Sequence, residues 1–179
     1  MDFFVRLVYS LYMKRILILG SCGAGKSTFA KRLHAILGID IIHLDQHYWK
    51  SNWARTESEE WQKKVEGLVK GESWIMDGNY RSTMDLRLPK ADTIIWLDFS
   101  PLVCFYRIVK RRLKNNRVDE LVGCKERISF ELLKWVLWKF PRDNRPDIAK
   151  RLEVLEGRKD IHILKSNKDV ESFLASISK

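Results

Sequence analysis

The clearest chemical pattern in the sequence is a glycine-rich stretch, GSCGAGKS, at residues 20–27. It matches the pattern G-x-x-x-x-G-K-[ST] at every fixed position, and a short apolar run precedes it. Successive backbone N–H groups of such a loop form a cradle for anions, and the helix that follows presents a partial positive charge to them. The motif predicts a nucleotide-binding loop in which Lys26 reaches the β- and γ-phosphates and the Ser27 hydroxyl binds Mg²⁺.

The same stretch predicts the cofactors and their contacts. ATP and Mg²⁺ are expected, because the lysine and the hydroxyl of this motif serve phosphates and a divalent cation. Glycine is needed where the backbone approaches phosphate closely or adopts a positive φ. The predicted cofactor contacts are Gly20, Ser21, Cys22, Gly23, Ala24, Gly25, Lys26, Ser27 and Thr28, and Ser27 is also a predicted metal ligand.

Two aspartates follow predicted strands, at the edge where open α/β sheets bind their ligands. Asp45 comes where the second apolar run stops, so it can accept a proton from an acceptor hydroxyl, or hold Mg²⁺ or its water. A helix cap or a turn carboxylate is the structural alternative. Asp77 ends the third run, and a carboxylate there fits a place beside the Mg²⁺ site. We predict a catalytic Asp45, a metal-site Asp77, and Arg81 facing the reacting phosphates.

Arginines in the second half of the chain supply the other catalytic candidates. Arg107 and Arg111 are four residues apart and so share one face of a predicted helix, and Arg142 follows a polar stretch further on. Phosphoryl transfer depends on charge stabilisation, for which permanently charged guanidinium groups are suited. We predict catalytic roles for these three residues, with a solvated surface arginine as the alternative at each position.

Histidines and tryptophans surround Asp45 in the sequence. A metal site formed by His43 and His47 is disfavoured, because a pair at a strand end lacks helical geometry and no third ligand is near. Trp49 and Trp53 are as compatible with core packing as with a wall that stacks on a substrate ring.

Alternating strands and helices must position these residues. The pattern predicts one P-loop-type α/β domain over residues 13–179, with a five-stranded parallel sheet flanked by helices. Predicted strands cover residues 16–19, 39–44, 74–76, 93–97 and 161–164. Predicted helices cover residues 28–37, 56–69, 100–113, 126–138, a segment ending at 156, and 170–177. A Thr56-x-x-Glu59 capping box is predicted for the second helix, and Pro141 and Pro146 bracket a connection before the helix that ends at 156.

Two segments are set apart from this alternation. Residues 114–125, KNNRVDELVGCK, contain little that must be buried, and we predict that they form a short lid. The first twelve residues, MDFFVRLVYSLY, precede a Met-Lys-Arg sequence that resembles a natural start. They are interpreted either as an upstream extension or as a short amphipathic helix.

Composition narrows the classes of function. With 45% apolar and 31% charged residues the chain is a folded globular protein, and three cysteines without a CxxC pattern favour neither a disulfide framework nor a cysteine zinc site. No apolar run approaches the ~20 residues that span a bilayer, so we expect a cytoplasmic protein. The net charge is +10, and Arg107 to Lys159 contains 16 Lys or Arg against 8 Asp or Glu. This surplus predicts an anionic ligand, either nucleotide phosphate or nucleic acid.

Several segments together resemble a known family. GSCGAGKST, DGNYR and FELLKWVLWKFPRDNRP, in this order within residues 14–174, are similar to the FlaR-related "DNA topology modulation" proteins, which are small P-loop kinase-like proteins related to adenylate kinases. The resemblance implies a nucleoside monophosphate kinase-like fold, a lid at 114–125 and lid arginines beside it. DGNYR is similar to the DGFPR segment of adenylate kinases, but Tyr80 and the Arg117-Val118-Asp119 stretch depart from the expected patterns, so monophosphate specificity is not carried over.

Two functions follow as hypotheses. The first is an ATP-dependent kinase of a small acceptor, which is a nucleoside, a nucleotide or another hydroxylated metabolite. The second is a nucleotide-dependent, nucleic-acid-associated regulator that affects DNA topology, in which the basic segment binds DNA phosphates. No recognition helix and no basic-aromatic RNA motif is evident in the sequence, which favours the first.

Overall fold

The structure, a computed structural model, describes residues 13–114, 123 and 129–178. The strands in this part of the chain are β1 (Arg15–Gly20), β2 (Ile41–His43), β3 (Trp49–Lys50), β4 (Ala54–Arg55), β5 (Trp74–Asp77), β6 (Thr93–Leu97) and β7 (Asp160–Leu164). Five of them form one parallel sheet in the order β2-β5-β1-β6-β7, and β3 and β4 form a separate antiparallel hairpin. The predicted five-stranded parallel sheet is confirmed.

Helices connect the strands. The α-helices are α1 (Lys26–Leu37), α2 (Leu44–Tyr48), α3 (Ser58–Leu68), α4 (Met84–Arg87), α5 (Pro101–Lys114), α6 (Phe130–Lys134), α7 (Arg145–Leu155) and α8 (Asn167–Ser178). Two 3₁₀ turns cover Ser51–Trp53 and Arg81–Thr83, and a π-helix covers Trp135–Asn144. The helices cover both faces of the sheet, as a parallel sheet with buried strands requires.

The core lies on the two faces of β1. Side chains alternate along a strand, so Ile16 and Ile18 lie in one apolar cluster, and Leu17 and Leu19 lie in the other. The first cluster is completed mainly by α1, α5 and α8, and the second by α3, α4 and α7. All four β1 side chains are fully buried. Because each such burial contributes about 1.5–3 kcal/mol, β1 fixes the strand end from which the glycine-rich loop begins.

The structure corrects two local predictions. The capping box at Thr56 does not form: the helix begins at Ser58 after Glu57, and the Thr56 hydroxyl donates to the Tyr48 carbonyl oxygen at 2.5 Å. The hydroxyl thus ties down the β3–β4 hairpin instead of the helix. The connection predicted between Pro141 and Pro146 does not break the helical backbone either. Pro141 lies inside the π-helix between α6 and α7, whose wider hydrogen-bond spacing accommodates it.

The predictions for the N-terminal extension and for most of the lid concern residues outside the described part of the chain. Lys114 ends α5, and Gly123 accepts a hydrogen bond at its carbonyl oxygen from the Asn52 N–H at 3.1 Å. Gly123 therefore lies against the turn of the β3–β4 hairpin. In the described ranges, no helix is long and apolar enough to cross a membrane.

Candidate functional site

The glycine-rich segment of residues 20–27, called the P-loop below, begins at the last residue of β1 and ends in the first turn of α1. Gly23 and Gly25 have φ angles of 80° and 96°, in the left-handed region that favours glycine. A Cβ on Gly23 would come within 2.3 Å of the Cys104 carbonyl oxygen of α5. Backbone conformation and close packing together therefore require glycine at position 23.

Several polar groups of the P-loop remain available to an anion. The α1 helix begins at Lys26, so the N–H groups of its first turn have no intrahelical partner. The Ser21 hydroxyl is buried and forms no hydrogen bond to any described residue. Lys26 Nζ donates to the Ser21 carbonyl oxygen at 3.1 Å, which holds the ammonium group over the loop. The half-buried Ser27 and the exposed Thr28 follow at the start of the helix.

Asn79 clamps the first residue of the P-loop. Its side-chain amide donates to the Gly20 carbonyl oxygen at 2.6 Å, and its Oδ1 accepts from the Gly20 N–H at 3.0 Å. Sequence analysis did not single out Asn79. Its place directly after the strand-ending Asp77-Gly78 pair is the signal that could have drawn attention to it.

Asp45 lies in the first turn of α2, two residues after β2 ends. The Tyr80 hydroxyl donates to Asp45 Oδ1 at 2.6 Å. Burial, and then the negative charge of Asp45, raise the pKa of Tyr80 far above its ordinary value. Tyr80 therefore stays a neutral donor and orients one oxygen of the carboxylate.

Aromatic rings surround the Asp45–Tyr80 pair. The Tyr80 ring lies 4.6 Å from the Tyr48 ring and 4.9 Å from the buried Trp61 ring, measured between centroids. Trp49 and Trp53, both half-buried, meet edge to face at 5.4 Å in the β3–β4 hairpin. Tyr48 links the two groups through an edge contact with Trp49 at 5.0 Å. The aromatic cluster thus extends from the core to a partly exposed hairpin.

Asp77 and His43 form a buried pair at the ends of β5 and β2. The two residues are register neighbours, and the His43 Nδ1 lies 2.9 Å from Asp77 Oδ1. Burial, followed by the positive charge of Lys64 and the electrostatic influence of His43, lowers the pKa of the nearby His47. Among the described residues, no group of three or more His, Cys, Asp or Glu side chains could hold a metal ion alone. The place of Asp77 beside Mg²⁺ stays a prediction.

Of the predicted arginines, Arg107 contacts the P-loop. Its Nη1 donates to the Ala24 carbonyl oxygen at 2.8 Å, its Nη2 donates to Asn167 Oδ1 at 2.6 Å, and its guanidinium lies 4.2 Å from the centre of the Phe99 ring. Burial lowers the pKa of Arg107. Arg111 lies one turn further along α5 and is half-buried.

The other two predicted arginines bind carboxylates. Arg81 Nη2 donates to Asp147 Oδ1 at 3.1 Å, and Asp147 also accepts from Arg151 Nε at 3.0 Å. The exposed Arg142 binds its neighbour Asp143 at 2.7 Å. In this conformation Arg81 and Arg142 face acidic side chains, so reaching a phosphate requires these ion pairs to exchange.

Comparisons with known proteins bear on the fold. No protein-family model and no curated protein sequence matches the chain. A shikimate kinase from Acinetobacter baumannii in complex with shikimate superposes with a TM-score of 0.62 at 13% identity, covering 96% of this chain and 94% of that one. The chain has the fold of the kinase-like P-loop proteins.

Two further solved structures agree. A gluconokinase from Sinorhizobium meliloti 1021 gives a TM-score of 0.55 at 16% identity, covering 93% of each chain. A shikimate kinase from Bacteroides thetaiotaomicron gives 0.53 at 16% identity, covering 91% of this chain and 95% of that one. The predicted fold class, a P-loop-type five-stranded parallel sheet flanked by helices, is thereby confirmed.

Proposed function

We propose that the chain is an ATP- and Mg²⁺-dependent kinase that transfers the γ-phosphoryl group of ATP to a hydroxyl of a small acceptor. The observation that carries the proposal is a pair of adjacent residues. Asn79 binds both main-chain polar groups of Gly20, where the P-loop begins, and Tyr80 binds Asp45. One loop therefore joins the phosphate-binding segment to the candidate base.

The P-loop residues fit a nucleoside triphosphate. The buried Ser21 hydroxyl, which has no hydrogen-bond partner within the described ranges, and the first-turn N–H groups of α1 are donors suited to phosphate oxygens. Lys26 needs only to leave the Ser21 carbonyl oxygen to bind the β- and γ-phosphates. Ser27 would hold Mg²⁺ together with phosphate oxygens, because Mg²⁺ in such sites uses few protein ligands, and Asp77 would lie beside it. The ion would supply neutralisation of phosphate charge.

Asp45 is the proposed general base. It takes the proton of the acceptor hydroxyl while that oxygen bonds to the γ-phosphorus, and the bond between the γ-phosphorus and the ADP oxygen breaks. The products are the phosphorylated acceptor and ADP. The hydrogen bond from Tyr80 keeps the carboxylate in one orientation, which this kind of catalysis requires.

Arginines are the proposed partners of the transferred charge. Arg107 already lies on the P-loop, and Arg111 follows it on the same helix face. Arg81 and Arg142 join them when phosphate replaces Asp147 and Asp143 as their partner. Guanidinium groups in a site that excludes water stabilise developing negative charge more than they do in solution.

The basic segment gives less support to a nucleic-acid regulator. Arg145 binds Asp98 through two hydrogen bonds of 2.8 Å, and Arg151 binds Asp147 and Asp85. Together with the Arg142–Asp143 pair, these contacts place three of the 16 basic residues of this segment against carboxylates, where they are less available to DNA phosphates. Two further expectations remain parts of the proposal. One is the resemblance to the FlaR-related proteins, and the other is a cytoplasmic location, which is favoured because the three cysteines show no spacing typical of disulfides.

The test is an ATP-consumption screen with purified protein and Mg²⁺. The panel contains nucleosides, nucleoside monophosphates and small hydroxylated metabolites, among them shikimate and gluconate, because structural neighbours are named for them. Consumption should rise with at least one acceptor, disappear in Lys26→Ala and persist in Lys31→Ala, an equal charge change on the exposed side of α1. A chain that neither binds ATP nor consumes it with any acceptor contradicts the proposal.

A further inference from the structure

Arg87, the last residue of α4, is a fully buried guanidinium group that the proposed reaction does not use. Its exposed fraction is 0%. Its nitrogen atoms donate four hydrogen bonds of 2.7–3.3 Å, all to main-chain carbonyl oxygens. The acceptors are the carbonyl oxygens of Gly78, Asn79, Tyr80 and Thr83. One side chain therefore binds four carbonyl groups of the segment that follows β5.

No carboxylate among the described residues pairs with Arg87. Burial lowers the pKa of Arg87 to about 9, so the group still carries its charge at neutral pH. A buried charge without a counter-ion destabilises a protein unless hydrogen bonds compensate. Here the hydrogen bonds to the four carbonyl groups compensate for the buried charge. An apolar residue at position 87 would leave these carbonyl groups without hydrogen bonds in the interior.

The loop that Arg87 binds has a backbone conformation that requires glycine at position 78. Gly78 has a φ of 137°, and a Cβ there would lie 3.0 Å from the Leu44 Cβ. The side chains of the next two residues point to different parts of the site: Asn79 binds Gly20 of the P-loop, and Tyr80 binds Asp45. The positions of both side chains therefore depend on the conformation of residues 78–80.

We propose that Arg87 is a positioning residue that holds residues 78–80 in one conformation and thereby couples the P-loop to Asp45. The inference rests on the proposed function and deepens it. Arg87 acts on the P-loop through Asn79 and on Asp45 through Tyr80. Loosening of the loop should therefore weaken nucleotide binding and acceptor turnover together, although Arg87 contacts neither the P-loop nor Asp45.

The chain offers a matched control for this test. Lys159 Nζ also donates to two main-chain carbonyl oxygens, those of Pro89 and Ala91, at 2.8 and 2.6 Å. These carbonyl groups lie in the connection between α4 and β6, just beyond Arg87. Lys159→Met thus removes cationic hydrogen bonds to the same part of the chain without touching residues 78–80.

The measurement is calorimetric titration of the folded chains with MgADP, which requires no knowledge of the acceptor. Arg87→Lys keeps the charge but cannot reach four carbonyl groups, and we expect about tenfold weaker binding, which equals ~1.4 kcal/mol. Lys159→Met should bind MgADP within about twofold of the unchanged chain. Both substitutions should lower thermal stability, so stability alone does not separate them.

A double-mutant cycle then tests the route through Asn79. If Arg87 acts through this residue, Arg87→Lys should weaken MgADP binding little further in an Asn79→Ala background. Additive losses, or unchanged binding in Arg87→Lys, overturn the inference. If Arg87→Lys does not fold, Arg87→Gln takes its place in the experiment. If neither variant folds, Arg87 is needed for folding itself, and this result also overturns the inference. A natural-sequence chain that binds no MgADP overturns the proposed function itself.

Discussion

The two sides of the candidate site are built in different ways. The nucleotide side is one contiguous loop whose chemistry lies in its main chain and in one lysine side chain: three glycines with positive φ, the first-turn N–H groups of α1, and Lys26. The acceptor side is assembled from three separated segments, α2, the β3–β4 hairpin and the loop after β5. Its chemistry lies in side chains that hold each other in place, such as Tyr80 on Asp45.

This difference has a consequence for specificity. Main-chain donors bind phosphate in any nucleotide, so the P-loop sets the reaction class more than the substrate. Side chains from separate segments can change one at a time, so we expect the proposed acceptor side, more than the P-loop, to determine the substrate. Ring contacts among Tyr48, Trp49, Trp53, Trp61 and Tyr80 join these three segments to each other and to α3.

The largest expected effect is on the nucleotide side. Lys26→Ala should lower turnover by about 10³-fold or more, because it removes a charge partner of the transferred phosphoryl group. Within the described residues, its ammonium group donates one hydrogen bond, to the Ser21 carbonyl oxygen. The melting temperature should therefore change little. Turnover and thermal unfolding are measured on the same preparation. A folded Lys26→Ala chain with unchanged turnover would remove the P-loop from the mechanism.

The next effect should separate the two sides. Asp45→Asn is expected to lower turnover by about 10²- to 10³-fold, as loss of a general base does, while MgADP affinity changes by less than about threefold. Asp40→Asn, an exposed aspartate just before β2, is the matched control and should behave like the unchanged chain. If Asp45→Asn weakens MgADP binding as much as turnover, Asp45 belongs to the metal site, and the division between the sides disappears.

Arg111 should show a smaller but selective effect. Arg111→Ala is expected to lower turnover by about 10²-fold with a lesser loss of ATP affinity, because a charge partner of the transition state contributes little to ground-state binding. The adjacent Arg112, which is exposed, provides a control with the same change of charge. Equal turnover in Arg111→Ala and Arg112→Ala would show that this face of α5 takes no part in the reaction.

The two sides also differ in how far sequence predicted them. The P-loop and all five strands of the sheet follow from local patterns, since a glycine motif and an apolar run each depend on neighbours in the chain. The contacts of Asn79, Tyr80 and Arg87 do not, because their partners are distant in sequence or are carbonyl groups that carry no residue signature. A buried arginine that binds main-chain carbonyl groups leaves no residue pattern in the sequence by which it could be predicted.

The wrong local predictions have the same origin. Thr56 has the residue type of a helix cap, but its hydroxyl finds the Tyr48 carbonyl oxygen eight residues back, a contact that exists only once the hairpin forms. Pro141 lies inside a π-helix whose Val136 and Phe140 side chains are buried, one in each of the two apolar clusters, so core packing holds this segment helical. In both places tertiary contacts override the local preference.

The smallest expected effect concerns the pH dependence of the acceptor side. Burial, then the charge of Lys64 and the electrostatic influence of His43, hold the pKa of His47 below its ordinary value in the folded chain. As the pH falls through about 6.5, the unfolded chain takes up a proton that the folded chain refuses, so stability declines. His47→Gln lacks this loss. Melting temperatures measured between pH 7.5 and 5 should therefore fall less steeply in His47→Gln than in the unchanged chain, by about a degree or two. Parallel slopes would show that α2 accommodates the proton, and that the acceptor side is less tightly packed around His47 than its aromatic contacts indicate.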